Sequence, residues 1–148
     1  MAAIDDVYRE FGMAAEYAQH FESALGSVLL VYKIFENEAK SEPNLNERYY
    51  QDVLGGIDRN TLGALLRKVS AQITVRDDLI GVFEVALKAR NYLTHNFYRE
   101  QGRSIETEAG RDAMASCLAT LQKQLATAQE AAEVLLRSYI KAQGPPTA

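Results

Sequence analysis

Two long runs of apolar residues, one near each end of the chain, constrain the fold more than any other feature of the sequence. In both runs the apolar side chains are spaced alternately four and three residues apart, which places them on one side of an α-helix. No proline interrupts either run. We predict a first helix over residues 5–39, a final helix from Ser104 or Thr107 to Gly144, and a frayed tail over 143–148. The first run comprises Val7, Phe11, Ala14, Ala18, Phe21, Leu25, Val28, Tyr32 and Phe35, and the last comprises Met114, Leu118, Leu121, Leu125, Ala128, Ala132, Leu135 and Tyr139.

Shorter helical patterns lie between these two runs. A short helix is predicted over residues 45–54, and Asn60 or Thr61 is placed to cap the helix that follows. A third long helix is predicted to begin near Arg76 and to continue to His95, because the acidic residues after Arg76 suit a helix N-terminus. The helix after the cap is predicted to bury Leu62, Leu65, Leu66, Val69 and Ile73.

The composition fits one folded domain. Hydrophobic residues make up 47% and charged residues 24% of the 148 residues, which is typical of a globular protein. The single cysteine, Cys117, excludes an internal disulfide and a cysteine-based zinc site. No strand alternation is visible. The sequence therefore predicts one all-α domain over residues 1–148, an antiparallel bundle of four to five helices.

Charge and hydropathy limit the classes of partner. The net charge is −4 and the pI is about 5.2, which argues against a protein that coats duplex DNA. The longest apolar run, residues 28–32, is far too short to span a bilayer, and no signal peptide pattern is visible. We expect a cytoplasmic protein with no membrane partner. A local basic excess is present between residues 88 and 103, from Lys88, Arg90, Arg99 and Arg103 against Glu100.

The third helix carries the candidate functional residues. Its apolar side runs through Phe83 and Leu87, and the next position on that side is Arg90. A half-buried arginine is costly unless an anion meets the guanidinium group. His95 lies five residues later, a rotation of about 140° on a regular helix, and shares a side with Asn91. The two side chains are therefore expected to converge only at a kink or across a two-fold axis between two copies.

The segment Arg90-Asn91-Tyr92-Leu93-Thr94-His95 resembles the Arg-Asn-x3-His motif of the HEPN-domain family (higher eukaryotes and prokaryotes nucleotide-binding). The resemblance implies a HEPN-like helical bundle that forms a homodimer with the two motifs facing each other. It also implies a toxin-like endoribonuclease that cuts single-stranded RNA without a metal or other cofactor. A cognate antitoxin protein is a further implied partner, in a toxin–antitoxin or phage-defence system.

The residue types suit that reaction. A histidine side chain can give or take a proton near neutral pH, so His95 is the candidate acid or base. Arg90 is the candidate phosphate ligand, since a guanidinium group stays charged and matches phosphate oxygens. Asn91 is expected to orient His95 or the phosphate. Attack by the 2′-hydroxyl would leave a 2′,3′-cyclic phosphate and would spare DNA. Lys88, Tyr98 and Arg99 are the candidate substrate-binding residues.

The sequence departs from one branch of that family. Some members carry a tyrosine two residues after the histidine, which a partner nucleotidyltransferase modifies. Phe97 holds that position here and Tyr98 comes one residue later, so regulation by tyrosine modification is in doubt.

Two alternatives stay open from the sequence. One is a non-catalytic helical module that binds a partner protein or a nucleotide. The other is a purely structural bundle, such as an antitoxin or adaptor, in which Arg90 forms an ion pair with a neighbouring helix, for example with Glu36 or Glu38.

Overall fold

The computed structural model describes residues 1–39, 51, 55, 61–73 and 75–143, without the side chains of residues 37–39. The described chain is helical, with no strand among these residues. Of the predicted helix over 45–54, only Gln51 is described, and it is helical; residues 144–148 of the predicted tail lie outside the described residues. The elements are α1 (Ile4–Ala39), α2 (Leu62–Gln72), α3 (Asp77–His95), α4 (Phe97–Gln101), a 3₁₀ helix (Gly102–Glu106) and α5 (Glu108–Ala142).

The predicted all-α bundle is confirmed, and its core follows the two apolar runs. Most of their residues are buried, whereas Phe11, Tyr32, Phe35 and Tyr139 are only partly buried. The predicted buried side of α2 is also confirmed. The buried core residues of the two long helices are Val7, Ala14, Ala18, Phe21, Leu25, Val28, Leu29, Met114, Leu118, Leu121, Leu125, Ala128, Ala132 and Leu135.

Two of the predicted helix starts are confirmed by their capping residues. Thr61 Oγ1 accepts a hydrogen bond from the Ala64 backbone N–H at 3.2 Å, at the start of α2. Thr107 Oγ1 accepts one from the Gly110 N–H at 3.0 Å, at the start of α5. Each hydroxyl satisfies a backbone donor that has no partner within the helix, which explains why the helices begin at these residues.

The helices do not all run antiparallel. The rings of Phe21 on α1 and Phe83 on α3 stack with their centroids 5.8 Å apart, whereas Phe11 packs against Phe97, so α3 runs antiparallel to α1. The two long helices, by contrast, run parallel. Near their starts Arg111 Nε donates to the Ala2 carbonyl at 2.8 Å, and near their ends the rings of Tyr32 and Tyr139 lie 6.1 Å apart.

The chain bends sharply after the predicted motif. α3 ends at His95, and Asn96 leaves the helical conformation with φ −125° and ψ −24°. The short helix α4 then brings Phe97 into the core. Gln101 Nε2 donates to the Tyr92 hydroxyl at 2.7 Å and fixes the far end of α4 against α3. This bend places the C-terminal end of α3 at the surface of the bundle.

Candidate active site

The C-terminal half of α3 carries Arg90 at the edge of its buried side. The buried residues of this helix are Phe83, Ala86, Ala89 and Leu93. The fully buried position of this turn is Ala89, the residue before Arg90, because a small alanine lets a neighbouring helix approach closely. The side chain of Arg90 is 26% exposed and lies beside this stripe.

Arg90 has a carboxylate partner on α1. Its Nε donates to Glu22 Oε1 at 3.0 Å, and the Glu22 side chain is 31% exposed. An ion pair with a neighbouring helix was one of the alternatives from the sequence, although Glu22 lies about four helical turns before the suggested Glu36. The reason is the antiparallel packing of α1 and α3, which sets Arg90 opposite the middle of α1. Within the protein, the charge of Arg90 is balanced.

Arg90, Asn91 and His95 line one groove, which we call the motif groove. Its volume is about 420 Å³, and its other wall is the start of α2. The rotation of about 140° between Arg90 and His95 does not separate them, because Asn91 lies between the two on the helix surface. Arg90 Nη1 also donates to Asn91 Oδ1 at 3.3 Å. Asn91 therefore contacts the predicted phosphate ligand and lies beside the predicted proton-transfer residue.

The wall of the motif groove on α2 holds residues that the sequence reasoning missed. Thr61, Gly63 and Arg67 line it, together with Arg90 on the opposite side. Arg67 and the N-terminal end of a helix, where backbone N–H groups carry partial positive charge, make this wall favourable for an anion. Arg67 gave no signal in the sequence, since it stands on the polar side of an ordinary amphipathic helix.

A second groove lies between α1 and α3 on the other side of Arg90, and we call it the α1–α3 groove. It has a volume of about 330 Å³. Its apolar lining consists of Phe11, Ala15, Ala18 and Leu93, and its polar lining of Gln19, Glu22, Arg90 and Thr94. Arg90 thus belongs to both grooves.

The predicted substrate-binding residues lie outside both grooves. Lys88, Tyr98 and Arg99 are exposed. Tyr98 instead packs on α1, with its ring centroid 4.9 Å from that of Phe11 and 6.4 Å from that of Tyr8. Burial, followed by the neighbouring Tyr8, raises the pKa of the Tyr98 phenol above 10.0, so this phenol is neutral at physiological pH.

Two further observations concern ligands and membranes. Among the described residues, no three or more histidine, cysteine, aspartate and glutamate side chains are grouped closely enough to hold a metal ion. Within the same part of the chain, no helix combines the length and the apolar character needed to cross a membrane.

Comparison of this chain with protein-family models, with curated proteins and with solved structures finds no match in any of the three.

Proposed function

We propose that the protein is a metal-independent endoribonuclease that cleaves single-stranded RNA at the motif groove. The observation that supports the proposal is the shared lining of one groove by Arg90, Asn91 and His95. A cation can bind the phosphate, an amide can orient it and an imidazole can transfer a proton, so each of the three groups has a role in this reaction. The resemblance of the segment to the HEPN motif agrees with the assignment.

The reaction is a transesterification that needs no redox partner. The 2′-oxygen attacks the adjacent phosphorus, its proton passes to a base, and the bond from phosphorus to the 5′-oxygen breaks as that oxygen gains a proton. Arg90 would stabilise the extra negative charge on the phosphorane, because a guanidinium group can contact two of its oxygens. His95 would serve in one of the two proton transfers.

A homodimer is part of the proposal because two proton transfers require two groups. One imidazole, that of His95, is present among the residues that line the motif groove. Two copies facing each other would supply a second imidazole and a second guanidinium group to one cleft. A toxin role, opposed by an antitoxin, follows from the resemblance alone.

The direct test is cleavage of a labelled single-stranded RNA in EDTA. His95→Ala should lower the rate by about 10²-fold or more, since positioned acid–base groups contribute that much. The melting temperature should stay within about 2 °C, because His95 is exposed and surface substitutions change stability little. Cyclic phosphate ends on the wild-type products are the expected chemical signature.

His20→Ala is the matched control, because His20 is the only other histidine in the chain and is exposed on α1. This variant should cut RNA at the wild-type rate. Equal loss in the two variants, or no cleavage by the wild type, would refute the proposal.

A mixing experiment tests the dimer. Equal amounts of wild-type and His95→Ala chains are unfolded together, refolded and assayed, so that half of the dimers are mixed. If one cleft needs both imidazoles, only the quarter of dimers with two wild-type chains cuts RNA, and about a quarter of the activity of the same amount of wild-type protein should remain. About half of that activity, with dimers present by light scattering, would place each complete site within one chain.

The Arg90–Glu22 ion pair supports a second candidate function, a non-catalytic helical module that binds a partner protein or a nucleotide. At 3.0 Å the pair satisfies Arg90 without any phosphate. This candidate predicts no RNA cleavage and little growth phenotype on expression. Expression in bacteria separates the two, because growth arrest by the wild type, and not by His95→Ala, is expected only of the ribonuclease.

A further inference from the structure

The α1–α3 groove differs in character from the motif groove on the other side of Arg90. The motif groove carries Arg67, Asn91 and His95, which suit a phosphate. The α1–α3 groove is lined by four apolar residues and by Gln19, Thr94, Glu22 and Arg90, and the charges of the last two balance each other. A flat, apolar ligand with hydrogen-bonding groups at its edge fits the second groove better than an anion does.

A row of aromatic residues that begins at this groove agrees with a planar ligand. Phe11 lines the groove, and Tyr98 packs against Phe11 at 4.9 Å between ring centroids. Tyr8 continues the row and is 57% exposed, whereas Tyr98 is 37% exposed. Exposed aromatic rings beside a groove provide surfaces on which bases of a single strand stack.

We propose that the α1–α3 groove binds the nucleobase next to the scissile phosphate, with Arg90 at the boundary between base and phosphate. The inference rests on the proposed ribonuclease function and adds a base-recognition site to it. In a nucleotide the base and its phosphate lie on opposite sides of the ribose. One strand crossing Arg90 would therefore place the phosphate in the motif groove and the base among Phe11, Ala15 and Leu93.

Glu22 gives this site a base preference. When Arg90 turns to the phosphate, Glu22 Oε1 loses its hydrogen bond from Arg90 and becomes an acceptor for the base. A carboxylate accepts hydrogen bonds from the exocyclic amino groups of adenine and cytosine. Uracil has no amino group, and its one N–H is flanked by two carbonyl oxygens that the carboxylate repels. The site should therefore prefer adenine and cytosine to uracil.

The test measures binding separately from cleavage. Fluorescently labelled 2′-O-methyl octanucleotides of A, C or U cannot be cut, and their dissociation constants are read by anisotropy at low salt. The wild type should bind the A and C oligonucleotides roughly tenfold more tightly than the U oligonucleotide, a typical discrimination for one charged hydrogen bond. Glu22→Gln should reduce this ratio to about one, because a carboxamide can also donate to uracil.

A groove-filling variant and its matched control test the location. Ala15→Leu fills the α1–α3 groove and should weaken binding of the A and C oligonucleotides about tenfold. Ala24→Leu makes the same change on α1 at a similarly half-buried position that lines a different groove, so it should bind as the wild type does. Melting curves show whether both variants fold. If Ala15→Leu does not fold, Glu22→Gln still tests the site.

The outcomes separate this inference from the proposed function. Wild-type RNA cleavage in EDTA with an unchanged base ratio in Glu22→Gln and in Ala15→Leu would overturn the base site and leave the ribonuclease standing. A base preference that these variants abolish, without any cleavage, would support the base site and overturn the ribonuclease. Neither binding nor cleavage by the wild type would overturn both.

Discussion

Gly110, in the first turn of α5, occupies a position where any side chain would collide with the preceding turn. A Cβ atom built there overlaps the Ser104 carbonyl oxygen and lies 2.7 Å from its carbon and 2.8 Å from Thr107 Oγ1. Both neighbours belong to the corner between the 3₁₀ helix and α5. The Ser104 carbonyl also accepts from the Thr107 N–H at 3.3 Å. In Gly110→Ala the backbone must therefore shift, because rotation of a side chain cannot relieve an overlap with backbone atoms.

The expected sign is opposite to that of an ordinary helical glycine. Alanine in an open helical position is favoured over glycine by about 1 kcal/mol. At Gly110 the overlap should cost about 1–3 kcal/mol, and loss of the Thr107 cap about 1 kcal/mol more. We expect Gly110→Ala to lower the free energy of unfolding by about 1–3 kcal/mol after the propensity gain is subtracted. For a chain of this length the melting temperature should fall by about 3–12 °C.

Gly12→Ala is the matched control, since nothing lies within 4 Å of a Cβ atom built at that helical position. It should raise the melting temperature by about 2–4 °C. The assay is thermal unfolding followed by circular dichroism, with urea unfolding as a check. If Gly110→Ala stabilises the protein as Gly12→Ala does, the corner between Ser104 and α5 is not packed as described.

Two other predictions concern charged and titrating groups. A double-mutant cycle with Arg90→Ala and Glu22→Ala, measured by urea unfolding, should give a coupling free energy of about 1 kcal/mol, the upper end for solvent-accessible pairs. A coupling free energy of about 3 kcal/mol or more would indicate a buried pair and contradict the partial exposure of both side chains. Burial raises the pKa of the Tyr92 phenol above 10.0, so its contribution to stability is complete below pH 10 and is lost as the pH rises further. Tyr92→Phe should therefore lose less stability than the wild type between about pH 9 and pH 11, measured by urea midpoints, and an equal loss would argue against the raised pKa.

The helices and their buried sides could be predicted because both follow from local rules. Apolar spacing identifies the helix and the side that it buries, and a hydroxyl residue before a helix, such as Thr61 or Thr107, identifies its start. The periodicity does not determine whether two packed helices run parallel or antiparallel, or which of their residues face each other. The parallel arrangement of α1 and α5 and the pairing of Arg90 with Glu22 were therefore not predictable.

In the candidate site, too, some residues could be predicted from the local sequence, whereas others are brought to the site only by the fold. The motif residues could be proposed from the sequence because an arginine follows the apolar side of the helix and the segment matches the Arg-Asn-x3-His pattern. The α2 wall of the motif groove was missed because Arg67 becomes important only when Thr61 is brought beside His95 by the fold. The core role of Ala86 and Ala89 was missed because alanine is only weakly apolar, and its value in close helix packing depends on the neighbouring helix.

The ion pair between Arg90 and Glu22 is compatible with the proposed catalysis when the hydrogen bonds are counted. A half-buried guanidinium group requires a counter-charge in the free protein, and Glu22 supplies it at 3.0 Å. Glu22 accepts one hydrogen bond, from Nε, whereas a phosphate can accept two from one arginine. Under the proposed function, an RNA phosphate in the motif groove would therefore compete with Glu22 for Arg90. Under the two proposals, Glu22 would hold the arginine in place before binding and become a base acceptor after it, so one residue pair would link the site of cleavage to the choice of base.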